Sequence, residues 1–208
     1  MRILRIRSKF YKWGKYGSER EKSKMKVIGI CGSPRRGGNS EILLDEFLKC
    51  LEEKGAETKK FILNEMKFVP CQECENIRKD GRCKVQDDMQ KIYSEVEGAD
   101  IIVVSSPIFF GSLSAQTKMM IDRFQCQWLG INIFKTYTPK KKKGYFICVE
   151  ASDRDDFVEN AKSIIKNFFI TIGATYSGEV ICKGVDKKGK IREKKECIEK
   201  INLIISRI

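Results

Sequence analysis

"ICGSPRRGGNSEILLDEFL", Ile30 to Leu48, carries the end of an apolar run into a loop with three glycines and two arginines. Beyond it, Leu43, Phe47, Cys50 and Leu51 repeat at the spacing of one helix face. The reading is strand, loop, helix, with the strand at Lys26 to Cys31. Such a junction gathers free backbone N–H groups, the positive end of a helix, two guanidiniums and the side chains of Ser33, Asn39 and Ser40 around one point, which suits a phosphate. The plain alternative is an N-cap at Asn39 or Ser40 with glycine for the turn. Paired Arg35 and Arg36 favour the anion, because a cap needs neither. A nucleotide-triphosphate loop would place Lys after its second glycine, and here Gly38 follows Gly37; a G-x-G-x-x-G fingerprint is also absent.

Outward from this stretch the strand–helix alternation continues. Thr58 to Leu63 reads as a weaker strand, and a short helix follows a cysteine-bearing loop at about Asp87 to Val96. "ADIIVVSSP", Ala99 to Pro107, has the β-branched run of a strand covered on both faces. Leu113, Thr117, Met120, Ile121, Phe124 and Trp128 make one helical stripe. "GYFICVE", Gly144 to Glu150, is another buried strand. A helix through Phe157, Ala161, Ile164, Ile165, Phe168 and Ile172 follows, then a fifth strand with Tyr176, Val180 and Cys182. Ile191, Ile198, Ile201, Ile205 and Ile208 stripe a last helix. Five strands alternating with helices predict a doubly wound parallel α/β sheet, with ligands beyond the strand ends at Gly32, Pro107 and Glu150.

The 208 residues suffice for one self-sufficient domain, and no apolar run reaches the roughly 18 residues of a membrane span. No secretory signal is visible, so a soluble, cytoplasmic protein is expected. The net charge of +13 raises the question of nucleic acid. Residues 1–24 alone hold nine basic and two acidic side chains, so over half of the charge is an N-terminal extension preceding a domain at 25–208. That segment reads as a solvated arm, or as sequence upstream of a start at Met25, ahead of an RNA-contacting or membrane-surface arm. "PKKKKG", Pro139 to Gly144, reads as an exposed loop. Histidine is absent, which removes Ser-His-Asp and Cys-His catalysis and imidazole metal sites and leaves demanding chemistry to a cofactor. Of the nine cysteines, Cys31, Cys50, Cys148, Cys182 and Cys197 fall in apolar strand or helix runs and read as small core hydrophobes rather than disulfides.

"GSPRRGGNS" together with "SSPIFFGSLSAQTKMMIDRF", Ser105 to Phe124, resembles the flavodoxin-like NAD(P)H-dependent FMN reductase superfamily, especially its iron-sulfur flavoprotein branch. The resemblance spans roughly Met25 to Gly184. It implies a flavodoxin-like five-stranded sheet of order 2-1-3-4-5. It also implies an FMN phosphate held by Ser33, Arg35, Arg36, Gly38, Asn39 and Ser40, and a flavin ring along Pro107, Ile108, Phe109, Phe110, Gly111 and Ser112. A Pro-aromatic-Gly loop at a strand end independently suits a flat apolar ligand. The family commonly carries Tyr where Phe109 or Phe110 stands, so a hydroxyl contact is lost here. A third contact is implied at Glu150 to Asp153. Asp122 and Arg123 match a family "DR" and read as an ion pair fixing the helix. The implied activity passes electrons from NAD(P)H, or from a ferredoxin-like donor, through FMN to an acceptor, with no catalytic side chain assigned. A homodimer or homotetramer is implied, burying Phe109, Phe110 and the Trp128 to Tyr137 segment. Nucleic-acid binding is the competing class and rests mainly on residues 1–24.

"CQECENIRKDGRCKVQDDM" places Cys71, Cys74 and Cys83 in one loop. Iron-sulfur flavoproteins have a similar stretch whose four cysteines hold a 4Fe-4S cluster, but Ile77 stands where their third cysteine is expected. Three readings are open: a cluster completed by Cys126 or a nonprotein ligand; zinc with a carboxylate such as Glu73 or Glu75; or a metal-free loop or dithiol.

Overall fold

The computed structural model describes residues 24–74 and 78–208. The basic arm, apart from its last residue, and Glu75 and Ile77 of the cysteine loop lie outside them. Strands β1 (Lys26–Cys31), β2 (Glu57–Ile62), β3 (Ile101–Phe109), β5 (Lys142–Val149) and β6 (Ala174–Cys182) form a parallel sheet in the order β2-β1-β3-β5-β6. The five parallel strands follow the succession expected from sequence. The sheet has a sixth member: β4 (Ser112–Leu113) pairs antiparallel with the end of β3.

The inner strands are apolar throughout because both sheet faces are covered. Ile28, Ile30, Ile102, Val104 and Phe146 face a core with α2 (Met89–Gly98), α3 (Ala115–Asp122) and α5 (Asp155–Thr171). Val27, Val103, Tyr145, Ile147 and Val180 alternate to the other face, under α1 (Asn39–Glu53) and α6 (Lys195–Ile205). On the first face, Tyr93, Phe124 and Phe168 stack edge to face at centroid separations of 5.0 Å.

Three expectations need correction. The stripe from Leu113 to Trp128 is not one helix: Leu113 belongs to β4, α3 stops at Asp122, and α4 (Gln125–Asn132) starts afresh. Tyr93 Oη donates to the Arg123 carbonyl at 2.7 Å and Cys126 Sγ donates to it at 3.4 Å, so that carbonyl is drawn out of the helical ladder. Cys182 and Cys197 are not free core thiols but a disulfide across β6 and α6. Their Cα atoms are 6.2 Å apart, and the bond closes a segment that returns to the strand ends. Lys142, within the lysine run, is buried at the start of β5 and donates to the Lys140 and Ile172 carbonyls.

Candidate functional site

Ser33, Arg35, Gly38, Asn39 and Ser40 face Pro107, Ile108 and Phe109 across a cleft at the C-terminal ends of β1 and β3. Its volume is about 60 Å³, and it opens to solvent. Helix α1 begins after Gly38 with no side-chain cap, so its first-turn amides have no intrahelical acceptor. Asn39 does not cap the helix. Its Nδ2 donates to the Lys187 carbonyl at 3.0 Å and its Oδ1 accepts from Gly189 N at 2.9 Å, which docks the segment after β6 onto the loop. That segment brings Val185, Asp186 and Lys188 to the cleft. Lys188 has no carboxylate partner among the described residues, whereas Arg35 lies 3.8 Å from Asp186.

Arg36 turns away from the cleft. It pairs with Glu41 at 2.9 Å and Glu65 at 2.7 Å. Burial opposes charge on Glu41, but the Gly37 amide and Lys60 ammonium overcome it and hold the carboxyl below its usual range. Arg36 and Glu41 thereby brace the loop from behind.

On the opposite wall, β3 and β4 form a hairpin whose two turn residues, Phe110 and Gly111, have φ of +48° and +73°. Positive φ at both positions is the backbone of the tight hairpin turn whose twist matches the strands. Phe110 is fully exposed at the tip, Phe109 is 39% exposed, and Ser112 pairs with Phe109. Asn160 Nδ2 donates to the Gly111 carbonyl at 2.8 Å and fixes the tip to α5. Val149 and Ala151 extend the wall, but Glu150 is buried, with Oε1 taken by Ser152 and Oε2 without a partner among the described residues.

A buried hydroxyl cluster joins the two walls. Ser114 Oγ donates to the Gly32 carbonyl at 2.6 Å, contacts Thr117 Oγ1 at 2.8 Å, and caps α3 by accepting from Thr117 N. Thr117 Oγ1 donates to Ser106 Oγ at 3.2 Å, and Ser105 Oγ donates to the Ser40 carbonyl at 2.7 Å. A Cβ on Gly32 would lie 1.8 Å from Thr117 Oγ1, so this approach needs glycine.

The cysteine loop forms a second cavity, of about 150 Å³, lined by Cys71, Cys74, Cys83 and Cys126 together with Arg123. Arg123, 2% exposed, does not pair with Asp122, which binds Lys118 instead. Its guanidinium grips Asp87 at 2.6 and 3.1 Å, the Val69 carbonyl at 2.8 Å and Cys83 Sγ at 3.4 Å. Burial pushes the Cys126 thiol up to about 12. Among the described residues no three Cys, Asp or Glu side chains converge on one point as a single metal ion would require.

The family model for NADPH-dependent FMN reductase matches residues 25–176. The chain belongs to that family. Its curated relatives include an iron-sulfur flavoprotein of Methanocaldococcus jannaschii, 37% identical over 146 residues, covering 70% of this chain and 72% of the relative. An iron-sulfur flavoprotein of Archaeoglobus fulgidus is 43% identical over 97 residues, so this chain matches about half of that protein's length. The solved NAD(P)H:quinone oxidoreductase of Methanothermobacter marburgensis shares the fold, with a TM-score of 0.64 at 20% identity over 89% of this chain and 92% of that one. As a member of the FMN reductase family the protein is an FMN-dependent oxidoreductase, in agreement with the resemblance carried by the two loops.

The sequence reading missed Val185, Asp186 and Lys188. The signal was present, since a basic, glycine-containing turn follows the fifth parallel strand at the same edge where the other loops end.

Proposed function

We propose that this protein seats FMN in the cleft between the α1 loop and the β3–β4 hairpin, takes reducing equivalents from NAD(P)H and passes them to an acceptor. One observation carries the reading: an uncapped helix start flanked by cations faces an apolar wall across a single cleft. Ser33, Arg35, Ser40, the amides after Gly38 and Lys188 would receive the phosphate, while Asn39 holds the segment that delivers Lys188. Pro107, Ile108 and Phe109 would lie along the ring and exclude water from one face. Phe110, Gly111 and Ser112 shape the turn that carries this wall, and Arg36 braces the loop. Bound FMN would supply the hydride acceptance and electron delivery, which no amino-acid side chain provides.

The test is reconstitution of the full chain with FMN followed by desalting. Retained flavin absorbance, bleached by NADH or NADPH, is the expected result. Failure to retain flavin overturns the reading.

The cavity lined by cysteines favours a second component, a 4Fe-4S cluster on Cys71, Cys74 and Cys83, which would let a ferredoxin-like protein act as donor. Comparing flavin reduction by NADH, NADPH and reduced ferredoxin separates the two donors. A homodimer or homotetramer is supported by exposed Phe109, Phe110, Trp128 and Ile133. A cytoplasmic setting is supported by seven of the nine cysteines being free, with Cys182–Cys197 the disulfide that counts against it. No described helix is long and apolar enough to cross a membrane. A basic N-terminal arm before the domain at 25–208 remains part of the proposal, with nucleic acid outside it.

A further inference from the structure

We infer that Cys126, on α4, is the fourth thiolate of a cluster site whose other ligands are Cys71, Cys74 and Cys83. This rests on the reading of the cysteine loop as cluster-binding and names the ligand that the loop itself lacks. A cubane carries one thiolate on each of four irons, so its ligands stand apart around a volume. A single tetrahedral zinc instead draws all four onto one point. Cys71, Cys74, Cys83 and Cys126 all line one cavity of about 150 Å³.

Arg123 links the two sources of cysteine. Its Nη2 donates to Cys83 Sγ at 3.4 Å, and its carbonyl accepts from Cys126 Sγ at 3.4 Å, so loop and helix are registered on one residue. Independently, Arg123 Nε is buried with no acceptor among the described residues, on the wall of this same cavity. A buried donor of this kind calls for an acceptor, and a cluster sulfide or thiolate is one. Arg82, which has no carboxylate partner among the described residues, adds positive charge at the cavity wall, which suits an anionic cluster, while Arg78 is taken by Asp80.

The full chain, reconstituted anaerobically with ferric iron and sulfide under thiol reductant, which reduces part of the iron, should hold about four irons and four sulfides. Cys126→Ser and Cys126→Ala should each lose a quarter or more of the iron and keep their FMN, while Cys50→Ala keeps both. In the loaded wild-type protein, alkylation should spare Cys126 together with Cys71, Cys74 and Cys83, and chelator stripping should expose all four. This measurement needs no variant to fold. Wild-type iron content in the Cys126 variants, or alkylation of Cys126 in loaded protein, overturns the ligand assignment alone. Failure of the wild-type protein to take up iron, or uptake of one zinc, overturns the cluster reading with it, and retained FMN then shows that the flavin reading survives.

Discussion

The cleft at the strand ends and the cysteine cavity are built by different means. The cleft lies at the ends of buried strands, and its two walls are tied by short hydroxyl contacts among Gly32, Ser106, Ser114 and Thr117. The described residues of the loop that closes the cysteine cavity have no regular structure; a buried guanidinium reaches both ends, at Val69 and at Asp87, and Gln90 and Thr136 add bonds to the Cys83, Val85 and Lys79 carbonyls. The first region is tied by neutral hydroxyl contacts, whereas the second adds a buried ion pair to its neutral ones. Damage should therefore be graded in the cleft and abrupt in the cavity.

The largest effect is expected for Arg123→Ala. Asp87 would keep a mostly buried carboxylate without its cation, a loss of about 3–5 kcal/mol, read as a fall in the urea midpoint. Iron uptake should fall with it, and FMN binding should persist if the regions are independent. The same pair predicts acid sensitivity. Burial would raise the Asp87 carboxyl, but Arg123 and the Val69 and Met89 amides outweigh it and hold the group below its usual 3.8. The unfolded chain therefore binds the proton first. The stabilisation is present above the ordinary carboxylate range and is lost as pH falls through the lowered value, and Asp87→Asn should flatten that limb of the stability curve.

Next comes Gly32→Ala, which tests the ties of the cleft. Thr117 must give way to the added methyl, costing about 1–3 kcal/mol and weakening FMN retention, with iron uptake unchanged. Equal loss of iron would show that the regions communicate. Removing cations at the cleft should act on affinity alone: Arg35→Ala and Lys188→Ala should each raise the FMN dissociation constant about tenfold, corresponding to about 1.4 kcal/mol, with riboflavin binding unaffected. An equal effect on riboflavin would break the assignment of this end to the phosphate. The smallest effect is expected at the hairpin tip. Phe110→Asn eases a left-handed backbone while losing no buried contact, so the melting temperature should stay level or rise slightly, with reduced self-association by ultracentrifugation.

Local patterns carried much of this architecture. Continuous β-branched runs such as Ala99 to Pro107 identify doubly covered strands, and the Gly32 to Ser40 loop is legible as a strand-to-helix junction because its parts are contiguous. The helix break at Arg123 was not legible, since Met120, Phe124 and Trp128 keep helical spacing across it while the cause is Tyr93, thirty residues away in sequence. Arg36 reads the same as Arg35 in sequence, but Glu41 and Glu65 draw it to the far side of the loop. The lysine run conceals a buried member for a similar reason, since a strand start is set by its neighbours rather than by its own charge.

Sequence alone determined the alternation of strands and helices, the two loops at strand ends and the three clustered cysteines, because each depends on residues close together along the chain. Tertiary structure decided the partners: Cys182 with Cys197, Arg123 with Asp87, Lys188 with the cleft, and Cys126 with the cysteine loop. Such pairings join distant segments, and only the packing of helices on both faces of the sheet brings them within bonding reach.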